Sequence, residues 1–260
     1  MKIGFFDSGL GGLTILKAVT KKLPQYDYVF YGDTAHLPYG DREEEEIYEL
    51  TKIGMRYLFE KGAVLSIIAC NTASAQTARR LQQEFLPVEY PNRKILGIIV
   101  PTIEILKFDV LTNVVLIGTT RTVNSGKYQL ELNHKGNGNT ILTQIAIPEL
   151  VPLIERNELA DAATIAIQTI ETKAGESTVV VLGCTHYTQI KHQLRAHFKE
   201  DKKIISQDEI IPNKLNEYLT RHQEISSQLI HRGERHIHLT KHRPDYDRIM
   251  VQLLGGAHTR

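Results

Sequence analysis

The chain has 260 residues, enough for one large domain or two smaller ones, and its 42% hydrophobic and 23% charged content is ordinary for a globular protein. A formal net charge of +1 gives no electrostatic reason to expect nucleic acid or an anionic membrane as partner. No stretch approaches the roughly 18 uninterrupted apolar residues of a membrane-crossing helix, and the chain enters a strand pattern at once, without a secretory signal, so a cytoplasmic location with reduced thiols is expected.

Strand-like and helix-like patterns alternate along the chain. Residues 3–6, 28–31, 64–69 and 95–99 read as a first set of strands, and 114–117, 140–145 and 179–182 as a second. Amphipathic stretches separate them at 13–22, 42–61, 74–85, 102–108, 125–132, 147–154 leading into 158–173, and 189–198. This rhythm predicts an α/β fold with mostly parallel sheets flanked by helices. The acidic run Glu43-Glu44-Glu45-Glu46 suits the positive end of a helix and reads as a solvated surface. From about 210 the chain is helical over 211–230 and then basic and rich in histidine. The spacing of those histidines offers no convincing ligand set, so no metal is expected. His236-Ile237-His238-Leu239 alternates instead, as a strand with one polar face does.

The two halves share a plan. The strand before Asp7 opens into Ser8-Gly9-Leu10-Gly11-Gly12, and the strand before Gly118 opens into Thr119-Thr120-Arg121-Thr122. At a similar distance beyond each, an apolar run empties into a cysteine followed by small polar residues: Cys70-Asn71-Thr72 and Cys184-Thr185-His186. The expectation is two pseudo-symmetric α/β lobes, 1–96 plus 210–260 and 97–209, with a ligand cleft between facing strand ends.

Several readings of these residues stay open on the residues alone. The glycines after Asp7 let a backbone approach an anion, and the pattern is neither a full dinucleotide fingerprint nor a P-loop. Asp7 is either a base or an assisting group near one, or simply a loop or helix-capping hydrogen-bond acceptor. The turn-rich loop 31–40 follows a strand and either supplies backbone donors and a tyrosine wall or is plain structure. The two cysteines are either inert buried thiols or a reactive pair, since thiols near cations, helix starts or a histidinium ionise readily. A thiolate on one face of a carbon and a thiol on the other would invert a stereocentre, with Asp7 and His186 steering the proton on each side.

Asp7-Ser8-Gly9-Leu10-Gly11-Gly12, Tyr31-Gly32-Asp33-Thr34 through Pro38-Tyr39-Gly40, Ala69-Cys70-Asn71-Thr72-Ala73, Ile117-Gly118-Thr119 through Thr122, and Leu182-Gly183-Cys184-Thr185-His186 occur in that order. Together they resemble the signature set of cofactor-independent glutamate racemases, over residues 1 to about 208. The resemblance implies interconversion of L- and D-glutamate without pyridoxal phosphate, with D-glutamate destined for bacterial peptidoglycan. It implies Cys70 and Cys184 as acid/base thiols, Asp7 and His186 as assistants and Glu155 as a further assisting carboxylate. Substrate contacts would come from Ser8, Pro38, Tyr39, Gly40, Asn71, Thr72, Thr119 and Thr185. No cofactor or metal is implied, and a homodimer is compatible with the family.

The chain departs from the family pattern at Val100, where glutamate is usual, at Arg121, where a small residue is usual, and at Thr188, in place of a proline. The segment Ile205-Ser206-Gln207-Asp208 is blurred as well. Two rivals accompany the glutamate reading: a racemase of another acidic amino acid such as aspartate, and a low-turnover binding or regulatory relative such as a modulator of DNA gyrase.

Overall fold

A computed structural model describes residues 1–254. Residues 255–260, which the expected first lobe included, lie outside the described residues. Nine strands occur among the described residues: β1 (Lys2–Asp7), β2 (Tyr28–Gly32), β3 (Ala63–Ile68), β4 (Lys94–Gly97), β5 (Thr112–Gly118), β6 (Thr140–Ala146), β7 (Val179–Gly183), β8 (Lys203–Ile205) and β9 (Arg235–Leu239). They form two sheets, ordered β4-β3-β1-β2-β9 and β6-β5-β7-β8, and every pairing in both is parallel. The chain divides accordingly into two compact units, Met1–Ile98 with the described residues from Asp208 onward, and Ile99–Gln207. Both are parallel sheets flanked by helices.

In the first unit, side-chain alternation along the central strands feeds two cores. Ile3, Phe5, Tyr28 and Phe30 pack on one sheet face with Leu13, Leu16 and the later helical residues Ile211, Leu215 and Leu219. Phe6, Val29 and Tyr31 pack on the other with Ile47, Met55 and Leu58 of the helix Glu44–Glu60. Strands buried on both faces read as near-continuous apolar runs, as a parallel sheet requires. The second unit gathers Val115, Ile117, Val180 and Leu182 with Ala162, Ala166 and Ile170 of the helix Leu159–Ala174.

Local chemistry explains where helices differ from the amphipathic stretches. The stretch 125–132 becomes helical only from Lys127, in the helix Lys127–Lys135, and is separated from a preceding helix Thr120–Asn124 because Gly126 takes φ 61° and breaks the ladder. The helix after Cys70 begins at Asn71, earlier than its apolar pattern, and passes through a π turn at Leu81–Phe85 into Leu86–Glu89. Pro87 accounts for that turn, since its ring crowds the carbonyl four residues back and it has no N–H to donate. Glu44, Glu45 and Glu46 occupy a first helical turn as expected. They are not merely solvated, because Arg80 pairs with Glu45 and Arg42 with Glu46.

Gly54 sits where the helix Glu44–Glu60 crosses the sheet, and a Cβ there would lie 2.5 Å from the ring atoms Cδ2 and Cε2 of Phe6. That ring is fully buried and stacked on Tyr31, so it has nowhere to move. Alanine would gain up to about 1 kcal/mol of helix propensity, while overpacking a core costs roughly 1–3 kcal/mol. Gly54→Ala is therefore expected to lower stability on balance, read as a lower urea midpoint at unchanged m-value.

Candidate active site

Parallel order points the carboxyl ends of β3, β1, β2 and β9 to one edge of the first sheet, and the residues after each meet there. Cys70 follows β3 and caps the helix Asn71–Arg80, where its Sγ accepts the N–H of Ala73 at 3.4 Å. The Ser8 hydroxyl, after β1, lies 3.3 Å from the same sulfur. An N–H aimed at sulfur from the positive end of a helix stabilises negative charge on it. Cys70 is only 6% exposed, so this stabilisation acts in a poorly solvated place.

Asp7 ends β1 fully buried, and its Oδ1 accepts the Gly9 N–H at 2.8 Å. The loop-hydrogen-bond reading of Asp7 is thus realised, one residue from the serine that reaches Cys70. Gly12 permits this fold of the loop, since a Cβ there would sit 2.8 Å from Asp7 Cβ. Asn71 and Thr72 are buried in the first turn after Cys70.

The loop after β2 is organised by Asp33. Its Oδ2 accepts the Tyr39 hydroxyl at 2.7 Å, and its Oδ1 lies 2.8 Å from His36 Nδ1 and accepts the Thr240 hydroxyl at 2.8 Å. Thr240 Oγ1 in turn accepts the Ala35 N–H at 2.9 Å, and Thr34 exchanges two hydrogen bonds with the Lys241 backbone. Burial first, and then the Asp33 charge, holds the Tyr39 phenol far above its ordinary range, so it remains a donor. Pro38 is exposed and Gly40 half-buried on either side of the buried Tyr39. Sequence reasoning found this loop but not its anchors, because Thr240 and Lys241 follow β9, more than 200 positions away.

In the second unit, Thr119 follows β5, Cys184 follows β7, and Glu155 closes the helix Leu150–Glu155 that follows β6. Cys184 Sγ lies 3.8 Å from His186 Nδ1, and His186 Nε2 lies 3.3 Å from Glu155 Oε1. Thiol, imidazole and carboxylate are therefore linked in sequence by two contacts. Burial is the largest influence on His186 and favours the neutral ring. The hydrogen bonds and charges of Cys184 and Glu155 outweigh it and hold His186 well above its usual range. Thr119 caps the helix Thr120–Asn124 by accepting the Thr122 N–H, and Thr185 is buried beside Cys184. Among the described residues, no group of three or more His, Cys, Asp or Glu side chains is placed to hold a metal ion.

A model of the Asp/Glu/hydantoin racemases matches residues 14–209. The chain belongs to that family. It is 36% identical to the glutamate racemase of Jannaschia sp. (strain CCS1), over 86% of this chain and 87% of that protein. It is 34% identical to the glutamate racemase of Caulobacter sp. (strain K31), over 100% and 99% respectively. Among solved structures, the glutamate racemase of Francisella tularensis in complex with D-glutamate superposes with a TM-score of 0.86 at 26% identity, covering 99% of this chain and 95% of that one. The aspartate racemase of Picrophilus torridus shares the fold with a TM-score of 0.60 at 23% identity, covering 85% and 95%.

Within this family member, two departures have a structural account. Thr188, in the proline's place, donates its hydroxyl to the Thr185 carbonyl at 2.7 Å and so supplies its own restraint on the turn after Cys184. Gln207, in the blurred segment, donates to Tyr128 Oη at 3.0 Å and Thr102 Oγ1 at 3.3 Å, a buried polar trio that sequence reasoning missed. Val100 lies in the helix Ile99–Glu104 and Arg121 in Thr120–Asn124, and nothing in the structure explains either choice.

The raised His186 fixes a pH dependence of stability. A histidine whose folded pKa exceeds its unfolded value stabilises fully below the unfolded value near 6.5, and the contribution is lost as pH rises through the folded value. The stability difference between the parent and His186→Gln is therefore expected to be largest near pH 6 and to shrink above neutrality. Urea titrations of both proteins across that range check it; a difference that grows with pH contradicts the assignment.

Proposed function

We propose that the chain interconverts L- and D-glutamate, with Cys70 and Cys184 as the two proton-handling groups at one α-carbon. Racemisation removes a proton from one face of a stereocentre and returns one to the other, so it needs a base and an acid of matched strength. Two thiols meet that demand, because either can be the thiolate while the other holds the proton. The observation that carries the reading is that each unit delivers one thiol to a strand exit beside polar groups within contact distance of its sulfur. Around Cys70 these are the Ala73 N–H and Ser8, and around Cys184 it is His186, which in turn contacts Glu155.

In this reading Asp7 assists at the Cys70 side. His186, carrying its extra proton, donates through Nδ1 toward Cys184 and through Nε2 toward Glu155. Both ring nitrogens then have partners of the right sign. Backbone and hydroxyl donors of Ser8, Asn71, Thr72, Thr119 and Thr185, with the Pro38-Tyr39-Gly40 turn, would hold the carboxylates and ammonium of the substrate. The chemistry asks for no pyridoxal group, since the thiols themselves remove and return the proton. The Francisella relative holds D-glutamate in its structure, which supports glutamate as the substrate. Similarity of 34–36% to glutamate racemases, against likeness in fold alone to an aspartate racemase, favours the longer acid. The product would feed peptidoglycan synthesis in the cytoplasm, where thiols stay reduced.

Cys70→Ala and Cys184→Ala are each expected to lose about 10³-fold or more in racemisation of either enantiomer, in line with removal of an acid/base group worth 10²–10⁴. Circular dichroism follows the loss of optical rotation, and incorporation of solvent deuterium at the α-carbon reports proton removal. Full activity in either variant would falsify the two-thiol reaction.

A further inference from the structure

Tyr187 is absent from the proton-transfer scheme, although it is completely buried and directly follows His186. Its hydroxyl donates to the Ile147 carbonyl at 2.7 Å and lies 3.3 Å from the Gly118 carbonyl. Each of those carbonyls belongs to a different strand exit. Gly118 ends β5 and is followed by Thr119, while Ile147 follows β6 and leads into the helix that ends at Glu155. The Tyr187 backbone is tied to the third exit, its N–H donating to the Cys184 carbonyl at 3.1 Å.

The surrounding hydrogen bonds make this a lock and not an ornament. The Ile147 carbonyl also accepts the N–H of Leu150, the first residue of the Glu155 helix, at 3.3 Å, and the Gly118 carbonyl also accepts the Ile147 N–H at 3.0 Å. One phenol thus sits on the carbonyls that set where β5 ends and where the Glu155 helix begins. That helix is only Leu150–Glu155, short enough that a shift at its start carries to Glu155 at its end. The His186–Glu155 contact of 3.3 Å joins that end back to the turn bearing Tyr187, closing a ring of contacts.

We propose that Tyr187 is a positioning residue whose hydroxyl holds Glu155 in register with His186 and Cys184. Burial keeps the phenol protonated well beyond its ordinary range, so the hydrogen bonds persist at any pH the protein meets. A phenylalanine would fill the same space without the donor. Consequence for turnover rests on the racemase reading above; the register of Glu155 against His186 does not.

The test is Tyr187→Phe, with the His186 side-chain titration followed by nitrogen NMR in the parent, in Tyr187→Phe, in Glu155→Gln and in the double variant. The variant is expected to fold, because each carbonyl keeps its backbone donor. The expected result is a fall of the His186 midpoint by about half a pH unit or more in Tyr187→Phe, with no further fall when the substitution is added to Glu155→Gln. Such non-additivity marks two groups acting through one contact. An unchanged midpoint in Tyr187→Phe overturns the proposal, and so does a fall that adds fully to that of Glu155→Gln. In the racemisation assay kcat should drop about tenfold with KM within about twofold, as for loss of a contact used in the transition state. A parent without glutamate turnover would defeat the racemase reading, while the titration would still decide the role of Tyr187.

Discussion

Parallel pairing is the constraint on which the rest of this structure depends. When every strand in a sheet runs the same way, backbone hydrogen bonding places all carboxyl ends on one edge, and the next residue of each strand is delivered there without any further instruction. In the first unit that edge receives Cys70, Asp7 with Ser8, Asp33 with Tyr39, and Thr240, in the order of β3, β1, β2 and β9. In the second it receives Glu155, Thr119 and Cys184 from β6, β5 and β7. The apolar cores on the sheet faces stabilise the platform and leave this edge free to be polar.

The two thiols are served differently by their platforms. Cys70 relies on backbone and hydroxyl dipoles, the Ala73 N–H and Ser8, with the buried Asp7 carboxylate occupied by the Gly9 N–H. Cys184 has a titratable neighbour, His186, whose pKa the hydrogen bonds and charges of Cys184 and Glu155 raise against the effect of its burial. Burying a charge without partners is expensive, so both devices meet the same requirement: a negative sulfur needs donors already in place. Dipoles do that at every pH; a histidine does it only while it carries its proton.

Long-range anchors complete both edges. Asp33 joins Tyr39, His36 and Thr240, so the loop after β2 is tied to the strand that returns from the far end of the chain. In the second unit Tyr187 ties the exits of β5 and β6 to the turn after β7. Buried hydroxyl–carbonyl bonds of this kind add about 1 kcal/mol each to stability, and hydroxyl–carboxylate bonds roughly 1.5–3 kcal/mol. Their larger effect is geometric, because each removes freedom from a loop whose side chains must be placed to within fractions of an ångström.

Eight of the nine strands, the α/β class and the two cysteine-bearing exits were legible in the amino-acid order, because apolar runs ended by small and polar residues are a local signal; the three-residue β8 (Lys203–Ile205) is too short to give one. The breaks in helices were less so: Gly126 and Pro87 act through backbone conformation, which hydrophobic periodicity does not report. Cys184 and His186 could be paired from their spacing, and the candidate role of Glu155 came from family likeness. The linkage Cys184–His186–Glu155 itself is tertiary, since Glu155 reaches His186 from a different strand exit. The same holds for Asp33 with Thr240 and for Gln207 with Tyr128 and Thr102. By itself the sequence determined which residue types stand at which strand ends, since that depends only on neighbours along the chain. Which of those ends lie side by side, and hence that Ser8 reaches Cys70 and Glu155 reaches His186, was decided only when the sheets assembled in their non-sequential strand order.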